Sequence, residues 1–250
     1  MDQNTQPDGD VDDSVEQAPA ESRREPVFNL PFVVTAAVVV CVAVHLIRVY
    51  ALSNDQNYLV MLHGAFFPVR YSGGYDLDLF AFTSPFTSSL MHASWLHLGL
   101  NMVWLVAFGS PLANRIGALR FVLFWAVCVI GSLALHFISK PDDLVPVVGA
   151  SGAISGMMGA AARFGFRIDR SSGEAGFAGP RMTLMQTLTH KQAVIFLGVW
   201  LLINLAAGAG LDLSGSDGSI AWEAHIGGML TGLLLIGLFD PGPKQAPETA

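Results

Sequence analysis

Residues 147–164 read VVGASGAISGMMGAAARF, a stretch in which small and apolar residues leave a single charge, on Arg163. About 20 such residues are needed to cross a bilayer, so the stretch is a candidate membrane span. Its glycines recur at short intervals: Gly149, Gly152, Gly156 and Gly159. Such a series lets a second helix approach closely, so the stretch predicts a helix packed inside a membrane bundle.

The whole chain of 250 residues is unusually apolar. Hydrophobic residues make up 52% of it and charged residues 13%, about half the usual share for a soluble protein, and the mean hydropathy is +0.49. The net charge is −7, but eight acidic and two basic residues within 1–26 account for −6 of it. The nearly neutral body excludes a nucleic-acid-binding protein, which needs a concentrated basic surface, and argues against a soluble enzyme.

Five further apolar stretches are candidate spans. They lie at residues 30–51, 91–111, 119–139, 192–209 and 219–239. Residues 52–88 are too polar to span a membrane and too apolar to remain in water, which indicates an interfacial segment. The expected fold is an all-α membrane protein, a six-transmembrane-helix bundle with an interfacial loop between helices 1 and 2.

The distribution of basic residues predicts the orientation of this bundle. With six spans, ten of the 13 Lys and Arg residues fall on the side of the N-terminus, so both termini are expected to be cytoplasmic. Residues 1–27 are expected to form a disordered acidic cytoplasmic tail, 28–240 the membrane domain, and 241–250 a short cytoplasmic tail. Cys41 and Cys128 lie in apolar runs and are interpreted as small buried residues.

Polar residues within the predicted spans are few, and each is a functional hypothesis because lipid burial is costly. Spans 2, 4 and 6 all begin on the outer side, so three polar clusters lie at similar depth. They comprise His92, His97 and Asn101 in span 2, Gly149, Ser151 and Gly152 in span 4, and Glu223 and His225 in span 6. Spans 3 and 5 offer only His136 and Asn204.

Each cluster also has a structural interpretation when it is taken alone. A serine between glycines most often allows close packing, and Gly228 and Gly232 form a small face of the same kind. Taken together, these small faces would bring spans 4 and 6 into contact and place His225 beside Ser151. That arrangement is typical of a serine nucleophile activated by a histidine general base.

The cluster in span 2 offers hydrogen-bond donors for acyl transfer. His97 and Asn101 are four residues apart and therefore share a helix face. Both can donate to a developing oxyanion, together with the N–H of Ser151 at a glycine-rich helix start. His92 lies about 140° round the helix from His97, which indicates a structural residue that ties down the neighbouring loop.

From about Phe66 to Phe239, the sequence resembles the rhomboid intramembrane serine proteases. Three motifs carry the resemblance, in the order found in the family: His92-x4-His97-x3-Asn101, Gly149-x-Ser151-Gly152, and Ala224-His225 followed by Gly228-xxx-Gly232. The resemblance implies a bacterial-type, six-span protease domain over 28–240. It also implies a multi-pass protein of the bacterial inner membrane.

The resemblance also implies roles for the motif residues. Ser151 and His225 would be a catalytic dyad, and His97 and Asn101 would line the oxyanion hole. His92 and the motif glycines would be structural residues near the site. The implied activity is cleavage of single-pass membrane proteins within or near the outer end of their helix. The expected partners are these substrates and the lipid bilayer, with no cofactor, metal or nucleic acid.

Two residues depart from a simple match to the family or to a catalytic triad. Ser155 stands where some rhomboids carry an aromatic residue that stacks on the catalytic histidine, so other contacts are expected to orient His225. Glu223 lies about 200° round the helix from His225, so it is not expected to act as a triad acid.

Two other functions remain open at this point. The chain could be an inactive rhomboid relative that serves as a binding or quality-control protein, although such relatives typically lack the serine or the histidine, and both are present. It could also be a small transporter, although its polar groups gather at one face and no inverted repeats are apparent.

Overall fold

The computed structural model describes residues 30–170, 174–210 and 221–242, and these residues are mainly helical. The helices are α1 Phe32–Leu46, α2 Asn54–Gly64, α3 Leu79–Thr87, α4 Trp95–Trp104, α5 Ser110–Ile116, α6 Ala118–Ser139, α7 Ser151–Arg163, α8 Leu184–Thr189, α9 Lys191–Gly208 and α10 Trp222–Leu235. Two short strands, β1 Ile168–Asp169 and β2 Gly176–Phe177, pair antiparallel. The predicted tail at 1–27 lies outside the described residues.

Helices occupy all six predicted spans, but they differ in length. Among the described residues, four helical stretches are long and apolar enough to cross a membrane: Phe32–Ala51, Trp95–Ile116, Ala118–Ser139 and Lys191–Gly208. Helix α7 has 13 residues and is about 20 Å long, and the last stretch, Trp222–Leu238, is also shorter. The mainly helical membrane fold is confirmed, while the six-span count remains a prediction.

Helix α7 lies at the centre of the bundle, where α6 and α10 pack against it. Every residue of α7 from Gly152 to Arg163 is buried. A Cβ on Gly228 would overlap the carbonyl oxygen of Gly152, and a Cβ on Gly232 would overlap that of Gly156. The backbones of α7 and α10 are therefore in direct contact along their small faces.

Helix α9 is peripheral by comparison. Its buried residues are Ala193 and Asn204. Large apolar side chains such as Leu202, which is 68% exposed, cover the rest of its surface. Outside a membrane this surface would be in water, so α9 contributes to the lipid-facing side of the bundle.

The segment predicted to be interfacial contains α2 and α3. Arg48, at the end of the first span, donates a 3.1 Å hydrogen bond from Nε to Asn57 Oδ1 and a 3.0 Å bond from Nη1 to the His92 carbonyl. Arg70 donates from Nη2 to the Leu62 carbonyl at 2.8 Å. The bond to Asn57 ties the segment to the end of the first span, the bond to His92 ties that end to the residues before α4, and the bond to Leu62 lies within the segment. The depth of the segment in the membrane remains a prediction.

Candidate active site

Ser151 is the first residue of α7, and the loop before it is held by two backbone contacts. The N–H of Gly149 donates to the Ser88 carbonyl at 2.9 Å. Phe66 and Val147 exchange backbone hydrogen bonds of 3.2 and 2.8 Å. Gly149 has a φ of +123°, a conformation that residues with a Cβ rarely adopt. A glycine therefore suits the turn by which the chain enters α7.

His225 is the fourth residue of α10, and its ring reaches Ser151. The two side chains are hydrogen-bonded, with 2.9 Å between His225 Nε2 and Ser151 Oγ. Both residues are partly buried. They are 74 positions apart in the sequence, and the contact between Gly152 and Gly228 brings their helices together at this depth.

The ring of His97, on α4, lies close to Gly149, two residues before Ser151. Its Nδ1 accepts a long hydrogen bond of 3.5 Å from the N–H of Ala93, an arrangement that favours the neutral tautomer with the proton on Nε2. This Nε2 lies 2.8 Å from the point where a Cβ on Gly149 would sit, and Ser151 Oγ lies 3.6 Å from the same point. A ring nitrogen and a hydroxyl thus lie close to the same small space, which the absence of a Cβ on Gly149 leaves open.

Asn101 is buried one turn after His97, on the same face of α4. Its Nδ2 donates a 2.9 Å hydrogen bond to the backbone carbonyl of His97. Because the amide nitrogen carries two hydrogens, one donor remains outside this bond. The structure therefore brings Ser151, His225 and His97 together, with Asn101 one turn along the helix that carries His97.

Asn204, on α9, contacts the other ring nitrogen of His225. Its Oδ1 lies 2.8 Å from His225 Nδ1, and its Nδ2 donates a 2.8 Å hydrogen bond to the Trp200 carbonyl. The sequence-based prediction gave Asn204 no role, because no motif or helical spacing links it to span 6. The available signal was a strongly polar side chain in an otherwise apolar helix.

A model of the Rhomboid domain matches residues 80–240, which is more than half of the chain and includes all three sequence motifs. The chain belongs to the rhomboid family. This confirms the resemblance that the motifs indicated.

The curated relatives of this rhomboid are distant. The chain is 28% identical to "Rhomboid protein 1, mitochondrial" of Saccharomyces cerevisiae over 159 residues, covering 59% of this chain and 39% of that protein. It is 28% identical to "RHOMBOID-like protein 6, mitochondrial" of Arabidopsis thaliana over 155 residues, covering 60% and 41%. "Rhomboid-related protein 3" of Homo sapiens is 41% identical over 75 residues, covering 30% and 18%. The chain thus spans about two fifths of the length of the first two relatives.

His92 contacts the site of this rhomboid through its ring and the neighbouring segment through its backbone. Its ring packs edge-on against the His97 ring, with 5.2 Å between the centroids. Its carbonyl accepts the hydrogen bond from Arg48. Among the described residues, neither ring nitrogen of His92 has a hydrogen-bond partner. The backbone of His92, and not its imidazole, therefore makes the polar link to Arg48, just after α1.

Glu223 lies two residues before His225 in this rhomboid, but its carboxylate is engaged elsewhere. Its Oε1 accepts from Lys140 Nζ at 2.9 Å, and its Oε2 lies 3.5 Å from His136 Nδ1. Both ring nitrogens of His225 already have other partners. Glu223 therefore connects the beginning of α10 to the end of α6.

Among the described residues, no group of three or more His, Cys, Asp or Glu side chains is placed to hold a metal ion.

Proposed function

We propose that this rhomboid is an intramembrane serine endopeptidase. The observation that carries the proposal is the 2.9 Å contact between Ser151 Oγ and His225 Nε2 inside a membrane bundle. A hydroxyl is a weak nucleophile until a neighbouring base removes its proton, and an imidazole at hydrogen-bond distance is suited to that task. Family membership supports the same activity.

In the proposed mechanism, His225 Nε2 takes the proton of Ser151 as the oxygen attacks the scissile carbonyl carbon. The carbonyl oxygen becomes an oxyanion in the tetrahedral intermediate. His225 then donates its proton to the leaving amine, and an acyl-enzyme remains on the serine. Water repeats the sequence with the same base, which releases the acid product and restores the hydroxyl.

The oxyanion would be stabilised by groups around Gly149. His97 Nε2 and Ser151 Oγ both lie close to the position that a Cβ on this glycine would occupy, at 2.8 and 3.6 Å. The N–H of Ser151 lies in the first turn of α7, where no carbonyl of the same helix is available to it. The second amide hydrogen of Asn101 would complete the set. Donors fixed before the reaction stabilise developing charge efficiently because they need no reorganisation.

The proposed substrates are single-pass membrane proteins, cleaved within or near the outer end of their helix. Ser151, His225 and His97 all lie in the first turn of their helices, so the site is near one end of the bundle. The distribution of Lys and Arg residues supports a topology of six spans with both termini in the cytoplasm, which makes this the outer end. The proposed location, the bacterial inner membrane, rests on the motif resemblance alone, since the relatives reported above are from yeast, Arabidopsis and human.

The proposal is tested with the purified full-length protein and two readouts. A fluorophosphonate probe should label Ser151, and the protein in liposomes should cleave a model single-pass substrate. Ser151→Ala should lose both activities, and His225→Ala should reduce both to background. Ser155→Ala is the matched control, because Ser155 is a buried serine one turn further along α7. It should retain both activities.

Two results would contradict the proposed function. Normal cleavage by Ser151→Ala would mean that another group performs the reaction. A folded wild-type protein that neither reacts with the probe nor cleaves any offered substrate would instead favour the inactive, binding type of rhomboid relative.

A further inference from the structure

His225 can act as a base toward Ser151 only in one of its two neutral tautomers. The ring nitrogen that faces the hydroxyl, Nε2, must be unprotonated, so the proton of the neutral ring must be on Nδ1. An isolated imidazole populates both tautomers, and its ring also rotates. A group that accepts a hydrogen bond from Nδ1 would select the productive tautomer and hold the ring in place.

Asn204 has the geometry of such a group, and its amide orientation is determined by a neighbour. The Trp200 carbonyl lies 2.8 Å from one end of the amide, and a carbonyl only accepts hydrogen bonds. That end must therefore be Nδ2, and the end facing His225 must be Oδ1. Because Oδ1 only accepts, the 2.8 Å contact requires a proton on His225 Nδ1.

The burial of Asn204 supports a specific role for this side chain. It is 6% exposed, whereas most of α9 presents apolar side chains outward. An amide in a membrane helix is costly unless its donors and acceptor are paired, and Asn204 is paired at both ends. Ser155 stands where some rhomboids carry an aromatic residue that stacks on the histidine, and because serine has no ring, other contacts must orient His225.

We propose that Asn204 is a positioning residue that holds His225 in the tautomer able to deprotonate Ser151, through a chain from the Trp200 carbonyl to the serine hydroxyl. This inference rests on the proposed function. It makes the site a Ser-His-Asn arrangement in which the third member comes from α9. Asn204 contacts neither substrate nor reacting atoms, and it acts only through the histidine.

The first test compares two substitutions at residue 204. Asn204→Leu keeps the size of the side chain and removes the acceptor, so kcat should fall roughly 10- to 100-fold with KM little changed. Asn204→Asp keeps an acceptor for His225 and loses the donor to Trp200, so its kcat should lie clearly above that of Asn204→Leu. Leu202→Ala, an exposed change on the same helix, is the control and should match the wild type.

A second measurement needs no substitution and therefore does not depend on how the variants fold. ¹⁵N NMR of histidine-labelled wild-type protein should show His225 with a protonated Nδ1 and an unprotonated Nε2 at a pH where the ring is neutral. In folded Asn204→Leu, the same resonances should shift toward a mixture of tautomers. A purely structural role for Asn204 would change stability without changing this signature.

The outcomes separate this inference from the proposed function. If Ser151→Ala is inactive and Asn204→Leu works at the wild-type rate, the role of Asn204 is overturned and the protease assignment stands. A proton on Nε2 of neutral His225 in the wild type would overturn the role of Asn204 as well. If Ser151→Ala still cleaves, both fail.

Discussion

Gly228 and Gly152 touch backbone to backbone, so that a Cβ on Gly228 would overlap the Gly152 carbonyl oxygen. Ser151 immediately precedes one glycine, and His225 stands three residues before the other. The separation of α7 and α10 at this contact therefore determines the distance between the hydroxyl and the imidazole. If larger side chains stood at this contact, the Ser151 hydroxyl and the His225 imidazole would be too far apart to form a hydrogen bond.

Gly228→Ala is expected to separate these helices. The added methyl group meets the backbone of Gly152, which cannot rotate away as a side chain can. The free energy of unfolding should therefore fall by about 1–3 kcal/mol or more. Labelling of Ser151 by a fluorophosphonate should fall with it. Thermal unfolding and the labelling rate measure the two effects. Gly198→Ala is the control, because a Cβ at residue 198 of α9 would meet open space. Wild-type stability and labelling in Gly228→Ala would contradict this account.

Gly149→Ala should damage the reaction more than the fold. A residue with a Cβ at the φ of +123° costs about 1–3 kcal/mol, and the new methyl group would lie 2.8 Å from the His97 ring. Displacement of the ring should reduce cleavage roughly 10²-fold, as small misplacements at reacting centres do. Gly99→Ala, in α4, is the comparison, because a Cβ there meets no atom within 4 Å. Equal cleavage rates for the two variants would argue against a catalytic role for the space beside Gly149.

Asn101→Ala should lower turnover while leaving expression intact. Loss of a main oxyanion donor reduces kcat by up to ~10²–10³, because the donor acts where charge develops. Asn114→Ala provides a matched control: Asn114 Nδ2 also donates to a backbone carbonyl, that of Ala175, at 3.0 Å. Asn101 is buried and Asn114 is partly buried, and each variant loses one amide that donates to a backbone carbonyl. An unchanged kcat in Asn101→Ala would remove this residue from the proposed oxyanion hole.

Family and membrane character could be predicted from the sequence because both leave local signals. Hydropathy identifies the four long helical stretches, and the family match confirms the resemblance drawn from the three motifs. The contact of α7 and α10 was also foreseeable, since closely packed membrane helices need small residues at intervals such as Gly228 and Gly232. These signals lie within single helices and can be read without knowing the fold.

Asn204 shows what such signals miss. Its partner, His225, lies on another helix 21 positions away, and α9 has no series of small residues to indicate which neighbour it packs against. The ion pair of Glu223 with Lys140 also joins two different helices, at the beginning of α10 and the end of α6. Contacts of this type depend on helix rotation and depth, which apolar composition does not specify.

The order of Ser151 and His225 along the chain has a consequence for synthesis. The serine lies on α7, and the histidine lies on α10, which follows every other described α-helix. A ribosome therefore completes the proposed nucleophile 74 residues before it completes the proposed base. Because chains grow from the N-terminus, a partly synthesised molecule holds a serine with no histidine beside it. On the proposed function, a nascent copy would therefore be inactive toward neighbouring membrane proteins until α10 is in place.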